Sequence, residues 1–206
     1  MRQIYQYFDK HGIADLPVEE FKGRIIVILG QGEVNRAVDY LMRFPRIGID
    51  TETRPNFRPG GMNPVSLLQV STDTTCFLFR LNRIGLPEPL VRMLSADGPL
   101  KVGLSLSDDW NQLRRRVDFQ PGNYLDLQDY VKQLGIADMS LQKLYANIMG
   151  RKISKTQRLT NWDGDVLTDR QKVYAATDAW ACLRLYDEIN SLLATHDFEL
   201  VKTDIV

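Results

Sequence analysis

The chain alternates short apolar segments rich in β-branched residues with segments of helical spacing, and two of the apolar segments flank a turn. The segments that we expect to be strands are Arg24–Leu29, Arg46–Glu52, Val65–Val70, Thr75–Phe79 and Leu100–Leu104. The polar residues Ser71–Thr74 lie between the third and the fourth, which is typical of a hairpin. Strands interleaved with helices around a hairpin predict an α/β fold with a mixed central sheet flanked by helices.

Helices are predicted in four places, and two segments have the composition of loops. The helical segments are residues 34–42, Ser107 to about Val117, a helix beginning at Ser140, and a long final helix that opens with the capping box Thr168-Asp-Arg-Gln171. Arg54–Pro64 holds three prolines and two glycines, and Arg151–Asp165 is polar and irregular. We find no repeat and no linker, so we expect a single domain over residues 1–206.

Charge and cysteine content limit the possible surroundings of the protein. The 26 basic and 26 acidic residues balance, so any attraction for nucleic acid must come from a local patch. Cys76 and Cys182 form no C-x-x-C motif, and we expect two free thiols in a reducing compartment. The polar N-terminus does not resemble a signal peptide, and the longest aliphatic run, Ile25–Leu29, is too short to cross a bilayer. We therefore predict a cytoplasmic location and no contact with a membrane.

The first acidic motif is Asp50-Thr-Glu52, at the end of a predicted strand. Residues i and i+2 of a strand point to the same face, so these two carboxylates project together. Like charges held close are unfavourable unless a cation neutralises them. Alone, the motif is better explained by two solvated residues at a strand end.

The second and third motifs lie on predicted helices. Asp108 and Asp109 occupy a first turn, where the helix dipole or an N-cap explains either one by itself. Tyr174 and Asp178 are four residues apart and share a helical face, beside small alanines. A mid-helix aspartate on an apolar face needs a partner, which a metal ion would provide. A tyrosine–carboxylate pair within the fold, or an exposed Asp178, are the alternatives.

Together, the acidic residues predict a site for a hard cation. Carboxylates converging from one strand and two helices are the ligands that Mg²⁺ and Mn²⁺ prefer. His11 and His196 are the two histidines of the chain and lie near its termini, which argues against an imidazole zinc site.

The three motifs resemble those of the DEDD superfamily of 3′-5′ exonucleases, tyrosine subgroup, which includes ribonuclease D-like and Werner-type exonuclease domains. The matching segments are Asp50-Thr-Glu52, Gly103–Asp109, Tyr174-Ala-Ala-Thr-Asp178, the hairpin at 65–70 and 76–79, and Ser154–Arg158 with Asn161-Trp162 and Leu167-Thr168. The likeness spans about residues 24–192. It implies a ribonuclease H-like fold.

The resemblance also implies a chemistry and a role for each motif residue. Asp50, Glu52, Asp109 and Asp178 would hold two Mg²⁺ or Mn²⁺ ions about 4 Å apart, with Asp50 bridging both and Asp109 acting through water. Tyr174 would orient the attacking water. The implied reaction removes nucleoside 5′-monophosphates from the 3′ end of DNA or RNA. A gapless match favours Asp109 over Asp108 as the acid of the second motif.

Contacts to nucleic acid are predicted from position and charge. Arg151, Lys152, Lys155 and Arg158 form a basic cluster that we expect to bind backbone phosphates, and a solvated loop is the alternative. Phe57 and Trp162 are candidates to stack on a terminal base, although burial is the usual state of a tryptophan in this setting. The loop Arg54–Pro64 follows Glu52 directly and is placed to touch substrate.

Two other functions fit the same fold. A non-catalytic module that binds nucleic acid or protein would keep the fold, but typically loses an acidic ligand, and here all four acids and the tyrosine are present. A nuclease that cuts internally would share the metal site, but the spacing of Tyr174 favours removal of the 3′ end.

Overall fold

The computed structural model describes residues 1–57 and 61–202. Residues 58–60 of the predicted loop Arg54–Pro64 and residues 203–206 lie outside the described part. The strands are β1 (Arg2–Tyr5), β2 (Arg24–Ile28), β3 (Arg46–Thr53), β4 (Val65–Ser71), β5 (Thr75–Phe79), β6 (Leu100–Gly103), β7 (Tyr124–Asp126) and β8 (Phe198–Val201). The α-helices are α1 (Gln31–Leu41), α2 (Leu81–Ile84), α3 (Glu88–Ser95), α4 (Leu106–Arg114), α5 (Leu127–Tyr130), α6 (Leu141–Met149) and α7 (Asp169–Thr195). Short 3₁₀ helices cover His11–Ile13 and Val131–Leu134.

The central sheet has six strands in the order β2-β5-β4-β3-β6-β7. Strand β4 runs antiparallel to β3 and β5, and the pairs β2–β5, β3–β6 and β6–β7 are parallel. This confirms the mixed α/β sheet and the hairpin, and each of the five predicted strands is present to within one residue at either end. The predicted helix start at Ser140 and the predicted capping box are confirmed as well: the Ser140 side chain caps α6, and Thr168 and Gln171 form the capping box of α7.

Two parts of the chain differ from the sequence-based expectation. The helix predicted to run from Ser107 to about Val117 ends at Arg114, because the chain turns to bury Phe119 edge-on against Trp110, with ring centroids 6.3 Å apart. The two ends of the chain, to which we assigned no strands, form a separate parallel sheet in which β1 pairs with β8. Ile4 of β1 is fully buried, so this small sheet is part of the core.

Helices cover both faces of the central sheet. Ile47 and Ile49 of β3 pack on one side with residues of α1, α3 and α4. On the other side, α7 lies across β3, β4 and β5 through its buried alanines. Within the residues described, no helix is both long enough and apolar enough to cross a membrane. Cys76 and Cys182 are both buried free thiols, as expected.

Helix α7 approaches β3 closely because both elements carry small residues at the crossing. A Cβ atom added to Gly48 would lie 2.0 Å from the carbonyl oxygen of Ala179, which is a backbone clash. Only glycine fits at this position without moving the helix. The crossing brings Asp178, next to Ala179, over the C-terminal end of β3.

Candidate metal centre

Three carboxylates meet where α7 crosses the end of β3. Asp50 and Glu52 project from the same face of β3, and Asp178 projects from α7. One oxygen atom of each lies within 4.8 Å of the other two. Glu52 is 9% exposed and Asp178 is 7% exposed, so the acids are largely withdrawn from water.

The electrostatics of this cluster are unfavourable when no cation is bound. Burial raises the pKa of Glu52 to about 10, and the charges of Asp50, Asp178 and Asp109 add to the effect. Burial also raises the pKa of Asp178 to about 7, against the hydrogen bond from Tyr174 that lowers it. The pKa of Asp50 lies well above its ordinary value because of burial and the charge of Asp178.

These residues fit a divalent cation. Buried carboxylates that repel one another lose that repulsion when a cation is shared among them. The donor atoms are carboxylate oxygens, which suit Mg²⁺ and Mn²⁺ rather than soft metals. Histidine nitrogens and cysteine sulfurs do not belong to this three-residue cluster.

Asp109 lies beside the three-acid cluster without being part of it. Its carboxylate accepts a hydrogen bond from the hydroxyl of Thr51, the residue between Asp50 and Glu52. Burial and the charge of Asp50 hold the pKa of Asp109 well above its ordinary value. Asp108 is exposed and accepts a 3.3 Å hydrogen bond from the hydroxyl of Ser105, so it is Asp109 that faces the acids.

Asp126 fixes the start of α4, a contact that the sequence analysis missed. Its carboxylate accepts hydrogen bonds from the backbone N–H groups of Ser105 at 3.0 Å, Leu106 at 2.7 Å and Gln128 at 2.9 Å. Ser105 has a φ of +62°, which a non-glycine residue rarely adopts. Since Asp126 and α4 are joined only through the fold, no local pattern could reveal this contact. By holding the first turn of α4, Asp126 fixes the position of Asp109 relative to the end of β3.

Tyr174 lies one helical turn before Asp178 and is 8% exposed. Its hydroxyl lies close enough to the Asp178 carboxylate to lower the pKa of that acid. Burial raises the pKa of Tyr174, and the charges of Asp178, Glu52 and Asp50 raise it further. The phenol therefore stays neutral and can donate a proton in a hydrogen bond at the edge of the cluster.

Two cavities open beside the acids and share Ser154 and Tyr174 in their walls. One, of about 250 Å³, is lined by Asp178, Lys155 and Arg158. The other, of about 490 Å³, runs along the first turns of α7. The positive charge of Arg158 opposes the rise in the pKa of Glu52, so basic and acidic groups face the same space.

The structure divides the predicted basic cluster into two pairs. Lys155 and Arg158 line the cavity that contains Asp178. Lys152 instead donates from its Nζ to the carbonyl of Ala14, and the Arg151 Nε lies 4.0 Å from a carboxylate oxygen of Glu19. Arg151 and Lys152 therefore contact the N-terminal segment, while Lys155 and Arg158 are brought to the site.

The two candidate stacking residues differ in exposure. Trp162 is fully buried, with its ring centroid 6.0 Å from that of Tyr174. The suggestion that Trp162 stacks on a base is therefore wrong for this structure, and its ring packs behind Tyr174 instead. Phe57 is 84% exposed and remains open to a ligand.

A protein-family model described as 3′-5′ exonuclease matches residues 25–194. A curated relative is the bifunctional 3′-5′ exonuclease/ATP-dependent helicase WRN of Mus musculus, 29% identical over 188 residues. The match covers 86% of this chain and 13% of the relative, so the chain corresponds to a small part of that protein.

Solved structures share the fold. The Aedes aegypti Nibbler EXO domain superposes with a TM-score of 0.78 at 21% identity, covering 88% of this chain and 95% of that one. Trypanosoma brucei RNase D in complex with RNA U12 gives a TM-score of 0.70 at 21% identity, covering 82% of this chain and 63% of that one. These similarities confirm the ribonuclease H-like fold.

Proposed function

The chain belongs to the 3′-5′ exonuclease family, as its motifs predicted, and from that premise we propose that it is an active, metal-dependent 3′-5′ exonuclease. The substrate is the 3′ end of a DNA or RNA strand, and the products are nucleoside 5′-monophosphates. One observation carries the proposal: Asp50, Glu52 and Asp178, from β3 and α7, each place one carboxylate oxygen within 4.8 Å of the other two, and the last two acids are buried.

The proposed ligands are Asp50, Glu52 and Asp178, with Asp109 as the fourth acid. Two bound divalent cations, Mg²⁺ or Mn²⁺, would supply a nucleophilic water at neutral pH and stabilise the leaving 3′ oxygen. Burial of the acids limits their contact with bulk water. The crossing of β3 and α7 keeps the carboxylates close enough to share cations. Burial and, after it, the mutual repulsion of the acids raise their pKa values, and bound cations would offset both effects.

Tyr174 is proposed to orient the attacking water. Its neutral hydroxyl is held against Asp178 and borders both cavities. We expect Tyr174→Phe to lower kcat by ~10- to 100-fold, the usual effect of removing a partner that orients a metal-bound group. The measurement is single-turnover cleavage at saturating metal. Phenylalanine keeps the ring that packs on Trp162 and loses only the hydroxyl, so an unchanged kcat would contradict this role of the hydroxyl.

The nucleic-acid strand is proposed to approach the acids past Lys155 and Arg158. Both side chains line the cavity of Asp178, and their two positive charges would neutralise phosphates next to the scissile bond. The similar RNase D structure was solved with RNA U12, so RNA is a substrate to be tested beside DNA.

Lys155→Ala is expected to weaken binding of a single-stranded oligonucleotide and to reduce the slope of log Kd against log salt by about 0.7, the value for one lost phosphate contact. Arg158→Ala should behave alike. The matched control is Arg151→Ala, which removes the same kind of charge a few residues away, next to Glu19. The measurement is fluorescence anisotropy at several salt concentrations in Ca²⁺. An equal effect of Arg151→Ala would contradict the proposed path of the strand.

The proposed function is tested with 5′-labelled oligonucleotides. Single-stranded and 3′-recessed DNA and RNA are incubated with the protein in Mg²⁺, Mn²⁺ or EDTA. We expect a ladder that shortens from the 3′ end with either metal and is absent in EDTA, and its strength on each substrate identifies the preferred one. Binding without cleavage of any substrate would favour a non-catalytic nucleic-acid-binding module.

A further inference from the structure

We propose that Thr51 is a positioning residue that sets how Asp109 serves the metal site, an inference that rests on the proposed function. Thr51 is the middle residue of Asp50-Thr-Glu52, and side chains alternate along a strand. Asp50 and Glu52 therefore point to the α7 side, while Thr51 points to the α4 side, where its hydroxyl donates to an oxygen of Asp109. One tripeptide thus supplies two ligands and the restraint on a third acid.

The hydrogen bond determines which oxygen of Asp109 is available. The Oδ1 atom of Asp109 accepts the Thr51 hydroxyl, which leaves Oδ2 as the oxygen without that bond and available to a cation or to a water bound to the cation. Asp109 does not belong to the group of three acids whose oxygens lie within 4.8 Å of one another. Thr51 and the start of α4, which Asp126 fixes, hold Asp109 at that greater distance. Asp109 therefore acts as an outer acid through one oxygen.

The alternative is that the Thr51 hydroxyl only satisfies a polar group of the fold. Thr51→Val separates the two, because valine keeps the β-branched shape suited to a strand and removes only the hydroxyl. Thr51→Ser restores the hydroxyl without the methyl group. If the role is structural, Thr51→Val lowers thermal stability. If the role is positioning, Thr51→Val weakens cation binding.

The experiment is titration of the nucleic-acid-free protein with Mn²⁺, followed by electron paramagnetic resonance of the free ion. We expect the wild-type protein to bind two ions and Thr51→Val to bind the weaker ion ~10- to 100-fold less tightly. Thr51→Ser is expected to recover the wild-type affinity. In the Asp109→Asn background, Thr51→Val should add little further loss, because the two residues act as one unit. Thermal unfolding in EDTA checks that each variant is folded, and Thr51→Ala is a second hydroxyl-free variant should Thr51→Val not fold.

The outcomes separate this inference from the proposed function. Wild-type protein that binds Mn²⁺ and cleaves, with Thr51→Val indistinguishable from it in Mn²⁺ affinity, would overturn the role of Thr51 alone. Independent, additive losses in Thr51→Val and Asp109→Asn would also overturn it. Wild-type protein that binds no Mn²⁺ would overturn the proposed function and this inference together.

Discussion

Asp50→Asn is expected to lower the rate of 3′-end cleavage by ~10³-fold or more, equivalent to about 4 kcal/mol of transition-state stabilisation. Asparagine keeps the size of the side chain and can still accept the hydrogen bond from the backbone N–H of Thr51. What it removes is a negative charge that interacts with that of Asp178 and that raises the pKa of Glu52 more than any other neighbouring charge does. The measurement is kcat/KM on a single-stranded oligonucleotide at saturating Mg²⁺ or Mn²⁺.

The matched control for this variant is Asp108→Asn, which makes the same chemical change at an exposed residue next to Asp109. It should cleave at the wild-type rate. In EDTA, Asp50→Asn should unfold at a higher temperature than the wild type, because one buried like charge is gone. Wild-type activity in Asp50→Asn would refute the assignment of the site, and equal losses in the two variants would show that the effect is not specific to it.

Divalent cations are expected to stabilise the folded protein, and more strongly as the pH rises. An ion that binds only the folded state at a hundred times its Kd stabilises by about 2.7 kcal/mol, which raises the Tm of a chain of this length by roughly 5–10 °C. Without metal, the folded state holds the protons of Glu52, with a pKa of about 10, and of Asp178, with a pKa of about 7. The unfolded chain releases both near pH 4.

The sign of the pH effect follows from these raised pKa values. The free energy that the protonated forms of Glu52 and Asp178 contribute to folding is fully present below about pH 4. It is lost as the pH rises through 7 and towards 10. We therefore expect the Tm in EDTA to fall between pH 5 and pH 9, with the shift caused by Mn²⁺ growing over the same range. Differential scanning fluorimetry measures both. Asp50→Asn, followed in parallel, should show a shallower fall in EDTA, and a metal shift that is equal at all pH values would contradict this account.

Local periodicity explains why so much of the site was predictable from the sequence. The alternation of a strand is enough to put Asp50 and Glu52 on one face, and the turn of a helix is enough to pair Tyr174 with Asp178. The convergence of β3 and α7 required the motif resemblance, because it depends on a close crossing at Gly48 that no local pattern reveals.

Contacts between distant segments account for what the sequence did not reveal. Lys152 and Lys155 are three residues apart in an irregular segment, so no periodicity could indicate that one contacts Ala14 while the other lines the cavity of Asp178. The pairing of β1 with β8 joins the two ends of the chain in strands of four residues each, too short to give an alternating signal. In both cases the partner is supplied by the fold.

The most direct test of the central claim uses a linear oligonucleotide labelled at the phosphate of its last nucleotide, with a closed circular oligonucleotide of the same sequence beside it. If the protein removes nucleotides from the 3′ end, the first labelled product in Mg²⁺ or Mn²⁺ is a nucleoside 5′-monophosphate, and the circle stays intact. Label that appears first in longer fragments, or a circle that is cut, would show internal cleavage, and an uncleaved linear strand in both metals would contradict the claim of catalysis itself.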